Sequence, residues 1–310
     1  MVKAFTFGCF NLFMRLVHLP FPLTPFQHAA LEEWLVRNAD CEADDLLLLY
    51  TNRPCVVVGK NQSVFKEINI SFLLNQSDAV VRRVSGGGAV YHDEGNLNFA
   101  TITKFDERKL NNYALFNSPI KDVLNALGVP AEFNQRNDII ANGKKISGNA
   151  QFTNRKNIIS HGTILVNSNL ENLRNALKQN SFEVQTKAVS SVRSSVANVS
   201  ECSKSIVDVS ELKSYLINAL CKNEYALSEV DWKEVLHLAQ SKYATYEWRF
   251  GRSPESILKL EGMEVVIKDG LIAEVIAENK NAFQELKGIK FLSDAILANQ
   301  GNELLQRLSQ

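Results

Sequence analysis

Apolar residues along this chain of 310 residues fall into short continuous runs and into helically spaced stretches. The continuous runs are bounded by turn residues and predict strands at 15–19, 46–50, 55–59 and 157–166. The last run contains His161, and a lone histidine within a strand is more often structural than catalytic.

Helical spacing predicts three further regions. The stretch Thr24-Pro25-Phe26-Gln27 has the features of a helix start, with threonine as N-cap, proline at the first helical position and glutamine at the third. Its apolar spacing continues to about Val36. Ser118-Pro119 is expected to start a second helix, which stops at Gly128. Residues 209–240 are also predicted to be helical.

The pattern changes towards the C-terminus. The run EGMEVVIKDGLIAEVIAE predicts a hairpin around Asp269-Gly270. Residues 293–308 are predicted to form a terminal helix. No strand is predicted between the preceding proline and this hairpin. The chain therefore divides into a large domain at 1–248 and a small C-terminal domain at 249–310.

The central feature of the sequence lies in residues 79–103, where three glycines separate two apolar runs and follow Arg82 and Arg83. Consecutive glycines cost backbone entropy and bury no side chain, so they make poor strand material. Successive N–H groups in such a loop can form an anion-binding concavity, and the arginines supply charge. The segment is either a loop that cradles an anionic ligand or a hairpin with a glycine-rich turn.

A second informative stretch is 136–153, RNDIIANGKKISGNAQFT. Asn142-Gly143 is the signal of a two-residue hairpin turn, which puts Lys144 and Lys145 at the start of the return strand. Alternation points their side chains to opposite faces, so one can face solvent and the other a site. Taken alone, a pair of surface lysines is the more ordinary interpretation.

Two other segments carry weaker signals. Gly59-Lys60 lacks the further glycine and the Ser/Thr of a Walker motif, so it is interpreted as a strand exit unless another motif meets it in space. The serine-rich stretch 186–198 contains Lys187 and Arg193. It is either a mobile loop that brings a cation to a site or a linker.

Composition limits the class of protein. Apolar residues make up 45% and charged residues 22%, as in ordinary globular proteins. The 34 basic residues equal the 34 acidic residues, so non-specific nucleic-acid binding is not indicated. Five scattered cysteines without a C-x-x-C pair indicate neither disulfides nor zinc, and favour a reducing compartment. The apolar N-terminus lacks signal-peptide features and the length of a membrane span, so Met14 is the expected domain start.

The string RRVSGGGAVYHDEGNLNF, followed by RNDIIANGKKISGNAQ and HGTIL, resembles the lipoate–protein ligase A and lipoyltransferase family. CVVVGKNQSVFKEIN, SSVRSSVAN and YEWRFGRSPE extend the resemblance over most of the chain. It implies an α+β fold similar to biotin protein ligases and class II aminoacyl-tRNA synthetases. That fold is a mixed, largely antiparallel sheet flanked by helices, here with a small C-terminal α+β accessory domain.

The resemblance also implies a monomeric, cytoplasmic enzyme, or a mitochondrial matrix enzyme if the source is eukaryotic. Lipoate and MgATP would give lipoyl-AMP and pyrophosphate, and the ε-amine of an acceptor lysine would then attack the acyl carbon and expel AMP. The implied acceptors are lipoyl domains of 2-oxoacid dehydrogenase E2 subunits and the glycine-cleavage H protein. Neither nucleic acid nor a membrane is an expected partner.

The site residues are carried over from the same resemblance. Lys145 is expected to be catalytic and to touch both phosphate and the lipoyl carboxyl, since a fixed cation lowers the repulsion between two anions. Asp138 is expected near phosphate and Mg²⁺. The residues expected to bind nucleotide or lipoate are Arg82, Ser85, Gly86, Gly87, Gly88, Ala89, Val90, Asn137, Asp138, Lys145, Ser147 and Gly148.

Alternatives to the full ligase remain open. The C-terminal block looks trimmed, which would favour a lipoyltransferase that uses only preformed lipoyl-AMP. A biotin ligase and a non-catalytic adenylate-binding protein are further alternatives. Related octanoyltransferases use a cysteine nucleophile, but no cysteine lies between Cys55 and Cys202, so a thioester mechanism is not expected. A choice between lipoate and octanoate is not predicted, because apolar pockets discriminate such chains weakly.

Overall fold

The computed structural model describes residues 13–203, 208–277 and 283–291, together with Leu304 and Leu308. The α-helices of this part of the chain are α1 (Pro25–Asn38), α2 (Val64–Glu67), α3 (Ile70–Asn75), α4 (Tyr113–Ala126), α5 (Leu170–Ala176), α6 (Val209–Leu220) and α7 (Glu229–Leu238). Its strands are β1 (Met14–Val17), β2 (Leu46–Tyr50), β3 (Cys55–Val58), β4 (Val80–Arg82), β5 (Val90–His92), β6 (Asn96–Lys104), β7 (Ala131–Phe133), β8 (Ile139–Ala141), β9 (Lys144–Ser147), β10 (Asn149–Thr153), β11 (Asn157–Leu165), β12 (Glu183–Thr186), β13 (Cys221–Tyr225), β14 (Ser256–Leu260), β15 (Met263–Lys268) and β16 (Leu271–Ala277).

The largest sheet has the strand order β10-β11-β6-β2-β1-β13. β1 runs parallel to both of its neighbours, and the other pairs are antiparallel. This mixed, largely antiparallel sheet with flanking helices confirms the α+β fold. The expected strand at 15–19 is β1, which begins at Met14.

Strand β2, LLLLY, shows why the helices flank this sheet. Leu46 and Leu48 pack with residues of α1 and α7, whereas Leu47 and Leu49 pack with residues of α4 and α6. All four leucines are buried because side chains alternate between the faces of a strand and both faces are covered.

Three smaller sheets complete the described fold: β4-β3-β5, β7-β8-β9 and β12-β14-β15-β16. In the last of these, β14 (Ser256–Leu260) pairs with β15, so the expectation of no strand ahead of the hairpin is wrong. On its other side, β14 pairs with β12, a strand that precedes residue 248 and so belongs to the predicted large domain. The apolar residues of this sheet pack in one hydrophobic core with residues of β3 and β5. The domain division at 248/249 stays a prediction.

Turn and cap chemistry accounts for several element bounds. Thr24 and Gln27 form the expected capping box at α1. Asn142-Gly143 and Asp269-Gly270 have positive φ at both residues, as a type I′ turn requires, which confirms both hairpins. The expected terminal helix at 293–308 lies outside the described residues, except Leu304 and Leu308.

Two helical predictions need correction. α4 begins at Tyr113, with the Asn112 side chain accepting from the Leu115 N–H, so Pro119 lies inside the helix instead of starting it. The predicted helical region 209–240 is interrupted by strand β13, which pairs in parallel with β1; tertiary pairing there overrides helical spacing. No helix within the described ranges is long and apolar enough to cross a bilayer.

Candidate functional site

Two adjoining cavities lie beside the glycine-rich loop. The first cavity has a volume of about 410 Å³ and extends beneath α1, where Ala29, Val57 and Val81 contribute apolar wall. The second cavity, of about 720 Å³, is bordered by Tyr91 and the region of α5. Residues that line both cavities are Ala89, Val90, Lys145, Gly148, Thr163, Ser191, Val192 and Ser194.

The backbone of the glycine-rich loop is pressed against the end of β3. A Cβ atom on Gly59 would lie 2.3 Å from the Gly87 carbonyl oxygen, and the Lys60 N–H donates to the Ser85 carbonyl at 2.8 Å. Gly87 itself has φ +89°, a conformation that favours glycine. The strand exit at Gly59-Lys60 therefore does meet another motif in space, and it supports that motif through backbone contacts.

The two arginines before the loop have different partners. Arg82 is fully buried, and its guanidinium donates to the carbonyl oxygens of Gly59, Gln62 and Arg249 at 2.8–2.9 Å. It does not line either cavity, so a nucleotide contact by Arg82 does not fit this geometry. Arg83 lines the first cavity. Burial lowers the pKa of Arg82 to about 9 and of Arg83 to about 10, and both stay charged at neutral pH.

Lys145 stands at the border between the cavities. Its Nζ lies 2.9 Å from Asp138 Oδ1, and it passes over Gly148, where a Cβ would lie 2.8 Å from Nζ. Lys144 points the other way and is exposed, as alternation predicts. The Asp138 carboxylate also accepts from Asn134 Nδ2 at 3.1 Å, so the carboxylate is held beside the lysine.

The serine-rich loop at 186–198 covers this region. Its backbone joins β9, because the Lys145 N–H donates to the Ser195 carbonyl and the Ala197 N–H to the Lys145 carbonyl. Further along, Ser191 Oγ accepts from the Ala89 N–H at 2.8 Å. The loop therefore contacts both the lysine and the glycine-rich loop, which is the position expected of a lid and not of a free linker.

Eight of the predicted site residues line these cavities: Gly87, Gly88, Ala89, Val90, Asp138, Lys145, Ser147 and Gly148. Four do not, namely Arg82, Ser85, Gly86 and Asn137. Asn137 has φ +59°, and its carbonyl accepts from the Asn149 side chain at 2.8 Å, which fixes the turn before Asp138. The eight residues that line the cavities therefore belong to one site, which is formed by the glycine-rich loop, β9 and the loop 186–198.

Residues 24–221 match the family described as lipoyl protein ligase A/B catalytic domain. The chain belongs to this ligase family. One relative, lipoate-protein ligase LplJ of Bacillus subtilis (strain 168), is 40% identical over 238 residues, which cover 74% of this chain and 72% of the relative. Another, lipoate–protein ligase 1 of Staphylococcus aureus, is 40% identical over 235 residues, which cover 74% of this chain and 71% of the relative.

Solved structures of the ligase family show the same architecture. A lipoate-protein ligase A bound with ATP is 27% identical, with a TM-score of 0.66 over 77% of this chain and 99% of that one. The putative lipoate protein ligase Ta0514 of Thermoplasma acidophilum with bound lipoic acid is 26% identical, with a TM-score of 0.65 and the same coverage. The predicted family is thus confirmed, and with it the class of protein, an enzyme.

Sequence reasoning missed several residues of the ligase-family site. Glu32, Tyr50 and His161 line the first cavity from α1, β2 and β11. Glu32 is buried within α1 together with His28 and Glu33, and polar residues among the apolar residues of this helix are the signal that could have marked it. His161 is buried and hydrogen-bonded to Ser85 and Glu32 while it also lines the first cavity.

His92 of the first cavity wall and His28 behind it are joined through Asn52, and both are neutral at neutral pH. His28 Nδ1 bonds Asn52 Oδ1 at 2.8 Å, and Asn52 Nδ2 bonds His92 Nδ1 at 3.0 Å. Burial lowers the pKa of His28 to about 4 and of His92 to about 3. Among the described residues, no cysteine lines either cavity, and no group of three His, Cys, Asp or Glu side chains could hold a metal ion.

Proposed function

We propose that this ligase-family chain is a full lipoate–protein ligase, which joins lipoate to AMP and then transfers the lipoyl group to a lysine of an acceptor domain. The observation that carries this proposal is the placement of Lys145 on the wall of both cavities. A carboxylate and a phosphate that approach from opposite sides would both meet its ammonium group.

The two cavities suit the two substrates. The first cavity offers apolar wall beneath α1, which fits the acyl chain of lipoate, and it opens towards Lys145. The second cavity is bordered by Leu173, Arg174 and Lys178 and by Arg193 of the covering loop, a mixture of apolar and cationic groups that fits a nucleotide with its phosphates. Loop amides on their common border would contact the phosphate.

The chemistry needs no protein nucleophile. In the first step a lipoate carboxylate oxygen attacks the α-phosphorus of ATP, the bond to the bridging oxygen breaks and pyrophosphate leaves. Lys145 lowers the repulsion between the two anions and then polarises the activated carbonyl, on which negative charge develops when an amine attacks. Catalysis here rests on positioning and preorganised charge, and the described cavity walls, which contain no cysteine, support this mechanism.

Asp138 fits a role in holding Mg²⁺. In nucleotide enzymes Mg²⁺ commonly binds one or two carboxylates together with substrate phosphates, and Asp138 is a carboxylate held beside the phosphate-facing lysine. When bound, the ion supplies charge neutralisation to the phosphates. Asn134 and Lys145 orient the carboxylate through their contacts with its two oxygens.

The acceptors we propose are lipoyl domains of 2-oxoacid dehydrogenase E2 subunits and the glycine-cleavage H protein. A bipartite lipoate protein ligase of Thermoplasma acidophilum, 25% identical with a TM-score of 0.66, has been solved in a study of that ligase and its E2 lipoyl domain. The monomeric state and the cytoplasmic location also remain proposals. A size-exclusion measurement at micromolar concentration tests the first of these.

The decisive experiment is ATP–pyrophosphate exchange with lipoate, octanoate and biotin side by side. We expect exchange with lipoate, none with biotin, and a loss of at least a hundredfold in Lys145→Ala. Lys144→Ala is the matched control, because this neighbouring lysine is exposed and points to the opposite face. Exchange unchanged in Lys145→Ala would contradict the assignment of the catalytic lysine.

The transferase-only alternative makes a different prediction. It expects no pyrophosphate exchange but full transfer from preformed lipoyl-AMP to a lipoyl domain. One reason for that alternative, a missing strand in the C-terminal block, is removed by β14. Pyrophosphate exchange and transfer from lipoyl-AMP are therefore measured on the same enzyme preparation: activity in both supports the full ligase, and activity in transfer alone supports the transferase.

A further inference from the structure

A buried chain of side chains connects α1 to the glycine-rich loop. Arg83 Nε donates to Ser85 Oγ at 2.9 Å, and Ser85 Oγ lies 2.7 Å from His161 Nε2. His161 Nδ1 in turn lies 2.6 Å from Glu32 Oε2. We call Arg83, Ser85, His161 and Glu32 the relay. Each of its members is at least nine-tenths buried.

A guanidinium has only donors and a carboxylate only acceptors, so Ser85 Oγ accepts from Arg83 at one end of the relay and His161 donates to Glu32 at the other. The acceptor nearest to the Ser85 hydroxyl is His161 Nε2 at 2.7 Å, ahead of the Gly86 carbonyl at 3.4 Å, so the Ser85 proton is assigned to His161. His161 then carries its proton on Nδ1 and donates it to the Glu32 carboxylate, which also accepts from the Tyr50 hydroxyl at 3.0 Å. A chain of bonds polarised from a buried cation to a buried anion strengthens each member.

The other end of the relay sets the peptide planes of the loop. Arg83 Nη2 donates to the Gly86 carbonyl at 2.6 Å and to the Gly88 carbonyl at 2.8 Å. In a trans peptide the C=O and the following N–H point in opposite directions. Because these two carbonyls point at Arg83, the N–H groups of Gly87 and Ala89 point away from it.

From this geometry we infer that the relay is a positioning device for the proposed adenylation reaction. It holds the Gly87 and Ala89 N–H groups in the orientation in which they bind the oxygens of the nucleotide phosphate. Ser85 acts only through Arg83 and His161, since its side chain does not line either cavity. The inference rests on the proposed function for its ligand, but the orientation of the loop can be tested without catalysis.

Ser85→Ala is the sharpest test, because it breaks the relay without altering the wall seen by lipoate. We expect the KM for ATP in pyrophosphate exchange to rise at least fivefold while the KM for lipoate changes less than twofold. A merely structural role would lower the amount of active enzyme, and thus kcat, with both KM values unchanged. That second pattern would overturn the inference.

Glu33→Gln is the matched control. Glu33 neighbours Glu32 on α1 and is equally buried, but it bonds Lys242 and Tyr243, away from the loop. The control should leave the KM for ATP within twofold of the native value. Glu32→Gln keeps the shape of the relay end and removes its charge, so it is expected to raise the KM for ATP less than Ser85→Ala does.

The double variant Ser85→Ala/Glu32→Gln tests whether the relay acts as a unit. Residues of one hydrogen-bond network are not additive, so we expect the double variant to be no worse than Ser85→Ala alone. Multiplication of the two single effects would overturn the relay as a unit. If Ser85→Ala does not fold, the same comparison is made with Glu32→Gln against Glu33→Gln.

Amide hydrogen exchange separates the relay from the proposed function. In Ser85→Ala the amides of Gly87 and Ala89 should exchange at least tenfold faster than in Glu33→Gln, measured on peptides that span the loop. Equal exchange in the two variants would overturn the inference. If the native protein shows no pyrophosphate exchange with lipoate but these amides respond as expected, the proposed function fails and the positioning of the loop stands.

Discussion

Ser191→Ala is a test of how the covering loop and the nucleotide compete for the same backbone donor. Ser191 Oγ accepts from the Ala89 N–H at 2.8 Å and from Gln62 Nε2 at 3.0 Å. If the Ala89 N–H binds a phosphate oxygen, as proposed, the serine hydroxyl must first leave it. The substitution removes that competitor and keeps the Ser191 backbone, whose N–H donates to the Glu67 carboxylate.

The size of the effect follows from one hydrogen bond. A neutral intramolecular bond contributes about 1 kcal/mol net, so freeing the donor should tighten nucleotide binding about fivefold. We therefore expect the KM for ATP to fall about fivefold in pyrophosphate exchange at saturating lipoate, and calorimetry to show the same change in Kd. Ser190→Ala, in the same loop, is the control for loop substitution in general.

A KM for ATP that stays constant or rises in Ser191→Ala would refute this reasoning. A constant value would mean that the Ala89 N–H is not the donor used by the nucleotide. A raised value would mean that the serine hydroxyl itself serves the bound state. In either case the position of the covering loop would stand, but Ser191 would not compete with the nucleotide for the Ala89 N–H.

Three more predictions follow from the same structure. Gly148→Ala should keep the melting temperature within about 2 °C, because only the flexible end of Lys145 is displaced, but lower kcat at least tenfold; an unchanged kcat would contradict the position of the lysine. Arg82→Lys should cost more than about 3 kcal/mol in urea unfolding, because several buried carbonyls lose their donor, while the folded fraction keeps its affinity for ATP. Lost affinity at full stability would restore Arg82 as a nucleotide ligand. Folding lowers the pKa of His28 from 6.5 to about 4, so the unfolded chain binds the proton first as the pH falls. The free energy of unfolding should therefore decrease between pH 6.5 and pH 4, by about 3 kcal/mol from this residue. In urea titrations at each pH, His28→Gln should make this decrease smaller.

Sequence reasoning succeeded where local chemistry decides structure. The turn at Asn142-Gly143 predicted both the hairpin and the opposite directions of Lys144 and Lys145. The capping box at Thr24 likewise needs only neighbouring residues. Such features depend on contacts within a few positions of the chain, which a single sequence displays directly.

It failed where partners are distant in sequence. Strand β13 is decided by pairing with β1, some 200 residues away, and β14 by pairing with β12. Arg82 was expected to bind nucleotide because of the family resemblance, but its guanidinium donates to acceptors from both 59–62 and 248–253. A motif shows which residues are chemically able to bind an anion, and only the packing shows which of them are already occupied.

The bonds of Arg82 bear on where this protein could be divided. Its guanidinium reaches Trp248 on one side of the predicted 248/249 boundary and Arg249 and Ser253 on the other. A chain cut at that point would leave a buried cation with two of its six acceptors, Arg249 and Ser253, on a separate polypeptide. A two-piece version of the enzyme, or a minimal catalytic fragment, would thus need its cut after Ser253, and it would still have to replace the strand contact that β14 gives to β12.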